Sequence, residues 1–154
     1  MPDKVEHILC AVRGSPQSRA TVTRAIDLAL EHDARLTFFY AVDAEFLART
    51  TIRGPLSVVY RELIEMSEFT MLILKDRAER RGVAQVDSII REGDVRTQLS
   101  RLLREVRPDL VVLGWPLRGE GRPRFKPAEF KEFVARLEQE ADVRVDVVPA
   151  LPDS

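Results

Sequence analysis

The stretch at residues 108–127, PDLVVLGWPLRGEGRPRFKP, decides how the rest of this chain is interpreted. Its apolar run at residues 110–113 predicts a short buried strand that ends at Gly114 and leads into a basic loop. In an open α/β sheet, ligands bind where the carboxyl end of a strand passes through a loop into a helix, because free backbone N–H groups and the helix dipole point there. We therefore expect any binding site to lie at the end of this strand.

Length and composition indicate an ordinary globular protein. The 154 residues are predicted to form one domain (residues 1–154), and 45% of them are hydrophobic and 32% charged. The net charge of −1 gives no overall attraction to nucleic acid or to a membrane, so neither is expected as a partner. Because the sequence has no signal-peptide pattern and no apolar run of membrane-spanning length, we expect a cytoplasmic protein.

Strands and helices alternate along the sequence, which predicts a single parallel sheet with helices on both faces. Two helix N-caps are predicted at Ser15 and Asp94, and one helix C-cap is predicted at Gly82. In the second helix, apolar positions including Met66 and Ile73 keep a helical period. The predicted strands are residues 5–12, 35–42, 83–91, 110–113 and 142–148, and the predicted helices are residues 15–31, 56–81, 95–106 and 127–137.

The fifth predicted strand has the pattern of a sheet edge with one wet face, because Val143, Val145 and Val147 alternate with charged residues. Such an edge can pair with a second copy across a twofold axis, which predicts a homodimer through these valines. Arg144 of each copy would then lie opposite Asp146 of the other, a favourable cross-strand pair. The alternative is an edge strand that is simply exposed to solvent, and the sequence pattern is compatible with both the dimer and the exposed edge.

Single polar side chains give few catalytic candidates. Cys10 lies in an apolar run and is expected to be a small core residue. His7 and His32 are expected at the surface, away from the predicted site. Ser15 precedes a proline and is better explained as a helix cap than as a nucleophile. Since no phosphate loop, dinucleotide fingerprint, paired-cysteine metal spacing or nucleophile elbow is present, the sequence does not support catalysis.

Three segments together resemble the universal stress protein family: residues 8–15 (ILCAVRGS), residues 92–94 (EGD) and residues 109–114 (DLVVLG). The resemblance implies an adenine-nucleotide α-hydrolase-like fold, with a five-stranded parallel sheet of order 3-2-1-4-5 in three layers. It also implies a role in the stress response and, in many members, dimerisation through the fifth strand. Some members bind ATP between the ends of strands one and four.

The loop after strand four departs from the family's ATP-binding pattern of Gly, two residues, Gly, nine residues, then Gly-Ser or Gly-Thr. Gly114 matches the first glycine, but Leu117 stands at the second and Pro127-Ala128 at the final pair. Pro127 has no N–H and Ala128 has no hydroxyl to offer a phosphate. The resemblance therefore implies a degenerate ATP loop, no resident cofactor, and ATP as the one candidate.

Further positions bear on the same expected site. Arg13 stands where the family usually has an aspartate near the nucleotide, so a hydrogen-bond acceptor is replaced by a cation that can only donate. Gly14 keeps the family's residue, and Val42 matches the small apolar position expected against the base. Together with Gly114, these complete the cofactor-binding positions that the resemblance assigns outside the basic loop.

The basic loop itself offers a different way to bind an anion. Four cations, Arg118, Arg122, Arg124 and Lys126, against the single carboxylate of Glu120 give a local charge of about +3. Arginine can hold phosphate or carboxylate bidentately without a glycine-lined backbone. The alternative is a solvated basic loop over a vacant crevice.

Three hypotheses about function follow. The first is a dimeric universal-stress-type module that acts through binding and interaction, without the usual ATP loop. The second is a nucleotide or anion sensor that binds phosphate through the arginine-rich loop. The third, an ATP-hydrolysing enzyme, is disfavoured because neither a metal-binding carboxylate nor a phosphate-cradling loop is visible. The sensor hypothesis assigns binding to Arg13, Gly114, Arg118, Arg122 and Arg124.

Overall fold

The structure is a computed structural model that describes residues 4–12, 18–42, 56–114 and 127–148. Strands and helices alternate along these segments, as the sequence predicts. The strands are β1 (His7–Ala11), β2 (Arg35–Val42), β3 (Val86–Glu92), β4 (Leu110–Gly114) and β5 (Arg144–Val148), and the helices are α1 (Ser18–His32), α2 (Leu56–Arg81), α3 (Val95–Val106) and α4 (Pro127–Ala141).

The five strands form one sheet of order β3-β2-β1-β4-β5, and every neighbouring pair is parallel. β1 lies at the centre, where Ile8 aligns with Leu36 of β2 on one side and with Leu110 of β4 on the other. β3 and β5 lie at the two edges. This arrangement confirms the predicted fold class and the strand order that the family resemblance implied.

Two apolar layers cover the sheet, one on each face. Since successive strand side chains point to opposite faces, Ile8 and Cys10 of β1 join one layer and Leu9 joins the other. The first layer contains buried residues of α1 and α2, and the second contains those of α3 and α4. The domain is therefore a three-layer α/β structure in which β1 is covered on both sides.

Two predicted helix caps are present. The carboxylate of Asp94 accepts a hydrogen bond from the Thr97 N–H at 3.2 Å, which caps α3 at its N-terminus. At the end of α2, Gly82 has a φ of 110° and its N–H donates to the Glu79 carbonyl at 3.0 Å. Because a side chain is unfavourable at that φ, the sequence places glycine there.

The start of the third strand was predicted wrongly. The N–H of Val83 donates to the carbonyl of Ala78 at 3.1 Å and so completes the end of α2. Val83 is buried, which explains its apolar character, but its N–H cannot also serve the sheet. The strand begins only at Val86.

The long helix α2 packs on the sheet through a face that the apolar period, which includes Ala78, identifies only in part. Ser67, Met71 and Ala78 are buried beneath it. Met66 and Ile73, which belong to the apolar period of the sequence, are 66% and 51% exposed. Some residues of the apolar period therefore lie on the side of α2 that faces away from the sheet. None of the helices in the described segments is long and apolar enough to cross a membrane.

Candidate functional site

The candidate site lies at the carboxyl edge of the sheet, where the order of the strands reverses. From β1 the chain passes through α1 to β2 on one side, and it later passes through α3 to β4 on the other side. The two connections diverge from the same edge, and this leaves a crevice between the ends of β1 and β4. Gly114 is the last residue of β4, so it lies at this position, as predicted.

Gly114 allows α1 to pack closely against the end of β4. A β-carbon added at Gly114 would lie 2.7 Å from the Thr21 Oγ1 and 3.7 Å from the Val148 carbonyl oxygen. Thr21 belongs to α1 and is only 3% exposed, so it has little room to withdraw. From the sequence, we expected Gly114 to let the backbone approach a phosphate closely. The structure adds a packing requirement for the same glycine, set by a residue distant in sequence.

Val42 forms the buried end of β2 at the same edge. Its side chain is 1% exposed, and its carbonyl accepts a hydrogen bond from the Gly93 N–H at 2.8 Å. Gly93 has a φ of 134°, a conformation that favours glycine, and it leads directly into α3. At the neighbouring strand, the Val12 N–H donates to the Phe39 carbonyl at 2.8 Å. The turn before α3 is thus fixed to the site edge, a link that the sequence did not reveal.

All of the positively charged site candidates lie in segments for which no structure is described. The topology brings two predicted residues, Val42 and Gly114, to the same edge of the sheet, with β1 between their strands. The remaining predicted site residues are outside the described residues: Arg13, Gly14, Arg118, Arg122 and Arg124.

The edge strand β5 is held by two contacts with helices. Arg24 of α1 forms an ion pair with Asp146 at 3.0 Å, and this hydrogen bond raises the pKa of the Arg24 guanidinium. The Val145 N–H donates to the carboxylate of Glu138 in α4 at 3.3 Å, which shows that this N–H points away from β4. Asp146, the residue expected to meet Arg144 of a second copy, therefore has a partner within its own chain.

A polar cluster surrounds His7 at the amino end of the sheet. The surface position predicted for His7 is wrong, because the residue is 7% exposed. Its Nδ1 accepts a hydrogen bond from Arg35 Nη2 at 3.1 Å, so Nε2 carries the proton that is donated to Thr37 Oγ1 at 2.7 Å. Burial, with a further contribution from the Arg35 charge, lowers the pKa of His7. This cluster lies at the opposite edge from the candidate site and stabilises the strand ends there.

The described residues offer neither a metal centre nor an accessible thiol. Within residues 4–12, 18–42, 56–114 and 127–148, no three histidine, cysteine or carboxylate side chains are grouped so that they could hold a metal ion. Cys10 is fully buried, as predicted, and burial raises the pKa of its thiol.

The sequence pattern of the universal stress protein family matches residues 4–126. This chain belongs to the universal stress protein family. Its sheet order and its glycine at the end of β4 agree with the resemblance that the three short segments suggested. No curated protein sequence is significantly similar to the chain.

Solved structures of other universal stress proteins share the fold over nearly the whole chain. One from Burkholderia pseudomallei is 25% identical with a TM-score of 0.68, covering 97% of this chain and 100% of its own. UspA from Lactobacillus plantarum is 20% identical with a TM-score of 0.73, covering 94% of this chain and 98% of its own. A universal stress protein solved in complex with cAMP is 20% identical with a TM-score of 0.59, covering 94% of this chain and 97% of its own.

Proposed function

We propose that this universal stress protein is a single-domain cytoplasmic module that acts by binding other molecules as a homodimer, without the family's ATP loop. The observation that carries the proposal is the sequence after Gly114. Leu117 and Pro127-Ala128 replace the glycines and the hydroxyl residue of the ATP-binding members. The branched side chain of Leu117 stands where a glycine would let the backbone approach a phosphate. Pro127 has no N–H to donate to a phosphate at the start of α4.

The end of β1 adds a second reason. Arg13 replaces the usual aspartate, so a carboxylate that accepts hydrogen bonds from ribose hydroxyls becomes a group with donors only. An arginine here also adds positive charge on the side of the crevice that the family uses for base and sugar. The two substitutions affect opposite ends of an ATP molecule, and each alone weakens binding in the family's manner.

The second candidate function is a nucleotide or anion sensor, favoured by two observations. A relative with the same fold was solved in complex with cAMP, which carries one phosphate. In this chain, Val42 keeps the small apolar residue expected against the base, and it is buried. A nucleotide with a single phosphate needs fewer of the loop's donors than ATP does, and Arg118, Arg122 and Arg124 can supply bidentate contacts to it.

Calorimetric titration separates the two functions. The purified chain is titrated with ATP and magnesium and, in parallel, with AMP and cAMP, at low and at raised salt. Arg122→Ala tests the loop, and Arg136→Ala, which removes an exposed arginine from α4, is the matched control. Binding to side-chain cations weakens with salt and in Arg122→Ala but not in Arg136→Ala.

Each result of the titrations favours a different function. No heat with any of the three nucleotides at millimolar concentration supports the interaction module. Saturable binding of AMP or cAMP that depends on Arg122 supports the sensor and overturns the first proposal. Tight ATP binding that is unchanged in Arg122→Ala would contradict both, since it would require a backbone cradle that the sequence lacks.

Dimerisation through β5 is part of the proposal and has its own test. β5 is an edge strand, and the Val145 N–H points outward, where a second edge strand would replace the Glu138 carboxylate as its acceptor. Val145→Pro removes this donor, whereas Val145→Ala removes apolar surface and keeps it. We expect sedimentation to give a monomer for the proline variant and a dimer for the alanine variant. An unchanged dimer in both would reject this interface.

A further inference from the structure

The outward side of α2 carries a continuous apolar patch. Met66, Phe69, Leu72 and Ile73 are 66%, 65%, 64% and 51% exposed, and we refer to these four residues as the α2 patch. Their spacing of three, four and seven positions places them together on one side of the helix. The opposite side of α2 already packs on the sheet, so the patch is not part of the core. Patches of this kind on a soluble protein usually mark interaction sites.

Charges flank the patch asymmetrically along the helix. Glu62 lies one turn before Met66, and Arg80 lies two turns after Ile73; both are exposed and on the side of the patch. Arg80 forms an ion pair with Asp76 of its own helix at 2.9 Å, and because its side chain remains 80% exposed, its guanidinium can meet a second carboxylate as well. Glu62 and Arg80 are 18 positions apart, which is about 27 Å along an α-helix, so they cannot meet within one chain.

We propose that the α2 patch is a docking site for the α2 patch of a second copy of this chain, with the two helices antiparallel across a twofold axis. When the axis passes at the level of residue 71, Phe69 of each copy lies against Ile73 of the other. The same register places Glu62 of each copy against Arg80 of the other, since 62 and 80 are equally distant from 71. A parallel pair would instead bring Glu62 against Glu62, which is unfavourable.

The size of the patch fits a weak, self-complementary contact. Four large apolar side chains at half to two-thirds exposure present on the order of 500 Å² per copy, within the range of functional patches on monomers. Two copies together bury about 1,000 Å², the lower limit for a specific interface. We therefore expect weak association that depends on protein concentration.

Sedimentation velocity over a range of protein concentrations tests the apolar part. The measurements are made in the wild-type chain and in the Val145→Pro background, so that pairing through β5 is distinguished from pairing through α2. Phe69→Ser is expected to weaken the association at least about tenfold in both backgrounds, because a central aromatic anchor is lost. Val58→Ser is the matched control, since Val58 is 48% exposed on α2 but lies beyond the patch.

Charge reversal tests the antiparallel register. Glu62→Arg alone and Arg80→Glu alone each create like-charge pairs between copies and weaken association. The double variant restores the pairs with opposite polarity, and we expect its association constant to return toward that of the wild type. Because the two residues are about 27 Å apart within a chain, only an intermolecular contact produces this rescue.

Four results would overturn the proposal. The first is a chain that stays monomeric at the highest concentrations in the Val145→Pro background. The second is equal association in Phe69→Ser and Val58→Ser. The third is a double charge variant that is weaker than either single one, which would exclude the antiparallel register. The fourth is association that appears only with a different protein. Circular dichroism of each variant confirms that α2 remains folded.

Discussion

Gly114→Ala is the most informative single substitution at the candidate site. It adds one methyl group at the end of β4, 2.7 Å from the Thr21 Oγ1. That distance is shorter than real contacts of a β-carbon, so the Thr21 side chain, α1 or the strand end must shift. Since Gly114 does not have a positive φ, alanine is compatible with its backbone, and the expected cost comes from crowding rather than from backbone strain.

The magnitude follows from the surroundings of Thr21. This residue is 3% exposed and β-branched, so few rotamers are available to it within α1. Overpacking of a buried contact typically costs about 1–3 kcal/mol. For a chain of 154 residues, a loss of about 2 kcal/mol lowers the melting temperature by about 4–8 °C.

Thermal and urea denaturation of four proteins measures this effect: the wild type, Gly114→Ala, Thr21→Ala and the double variant. Thr21→Ala removes the hydroxyl oxygen that the new methyl group meets, and by itself it costs about 1 kcal/mol of buried contacts. If the crowding argument is correct, the double variant is more stable than the sum of the single losses predicts. We expect a coupling of about 1 kcal/mol or more in the rescuing direction.

Two results would refute the reasoning. A melting temperature of Gly114→Ala within about 1 °C of the wild type would show that α1 yields without cost. Strictly additive losses in the double variant would show that Thr21 is not the source of the crowding. If Gly114→Ala remains folded, its nucleotide titration also shows whether the packing role of this glycine is separable from binding.

Two further predictions use the same denaturation assays, and a third uses thiol labelling. Gly93→Ala is expected to cost about 1–3 kcal/mol through its φ of 134°, and Gln98→Ala should rescue little of this loss, because the cost comes from the backbone conformation rather than from the contact with the Gln98 side chain. The lowered pKa of His7 means that the unfolded chain binds the proton first, so stability should fall as the pH drops below about 6.5. His7→Gln should reduce this slope. Cys10 should react with a thiol reagent only as the chain unfolds, and rapid labelling of the native protein would contradict its burial.

The fold was predictable because its determinants are local. Periodic apolar residues indicated each strand and helix, and cap residues such as Asp94 and Gly82 marked helix ends through contacts within a few residues. The strand order came from the family resemblance rather than from the pattern. Val83 shows the limit of local patterns. It is an apolar β-forming residue, but its N–H hydrogen-bonds to a carbonyl at the end of α2, and β3 begins later.

The end of β4, where the candidate site is proposed, could be located from the sequence, but its packing could not. The end of β4 could be inferred because parallel sheets place ligands at carboxyl ends, and Gly114 lies there. The contact between Gly114 and Thr21 joins residues 93 positions apart, and no sequence period reports it. The burial of His7 was missed for the same reason, because its partners Arg35 and Thr37 lie on the neighbouring strand.

Helix α1 connects the candidate site with the edge strand. Thr21 meets Gly114 at the end of β4, and Arg24, three residues later on the same side of the helix, holds Asp146 of β5. A displacement of α1 at Gly114 would therefore also move the backbone that carries Arg24, which is one of the contacts to β5. The two positions that the sequence suggested for separate reasons, a ligand edge and a dimer edge, therefore share one structural support. Binding at the first and pairing at the second should be measured in the same variants.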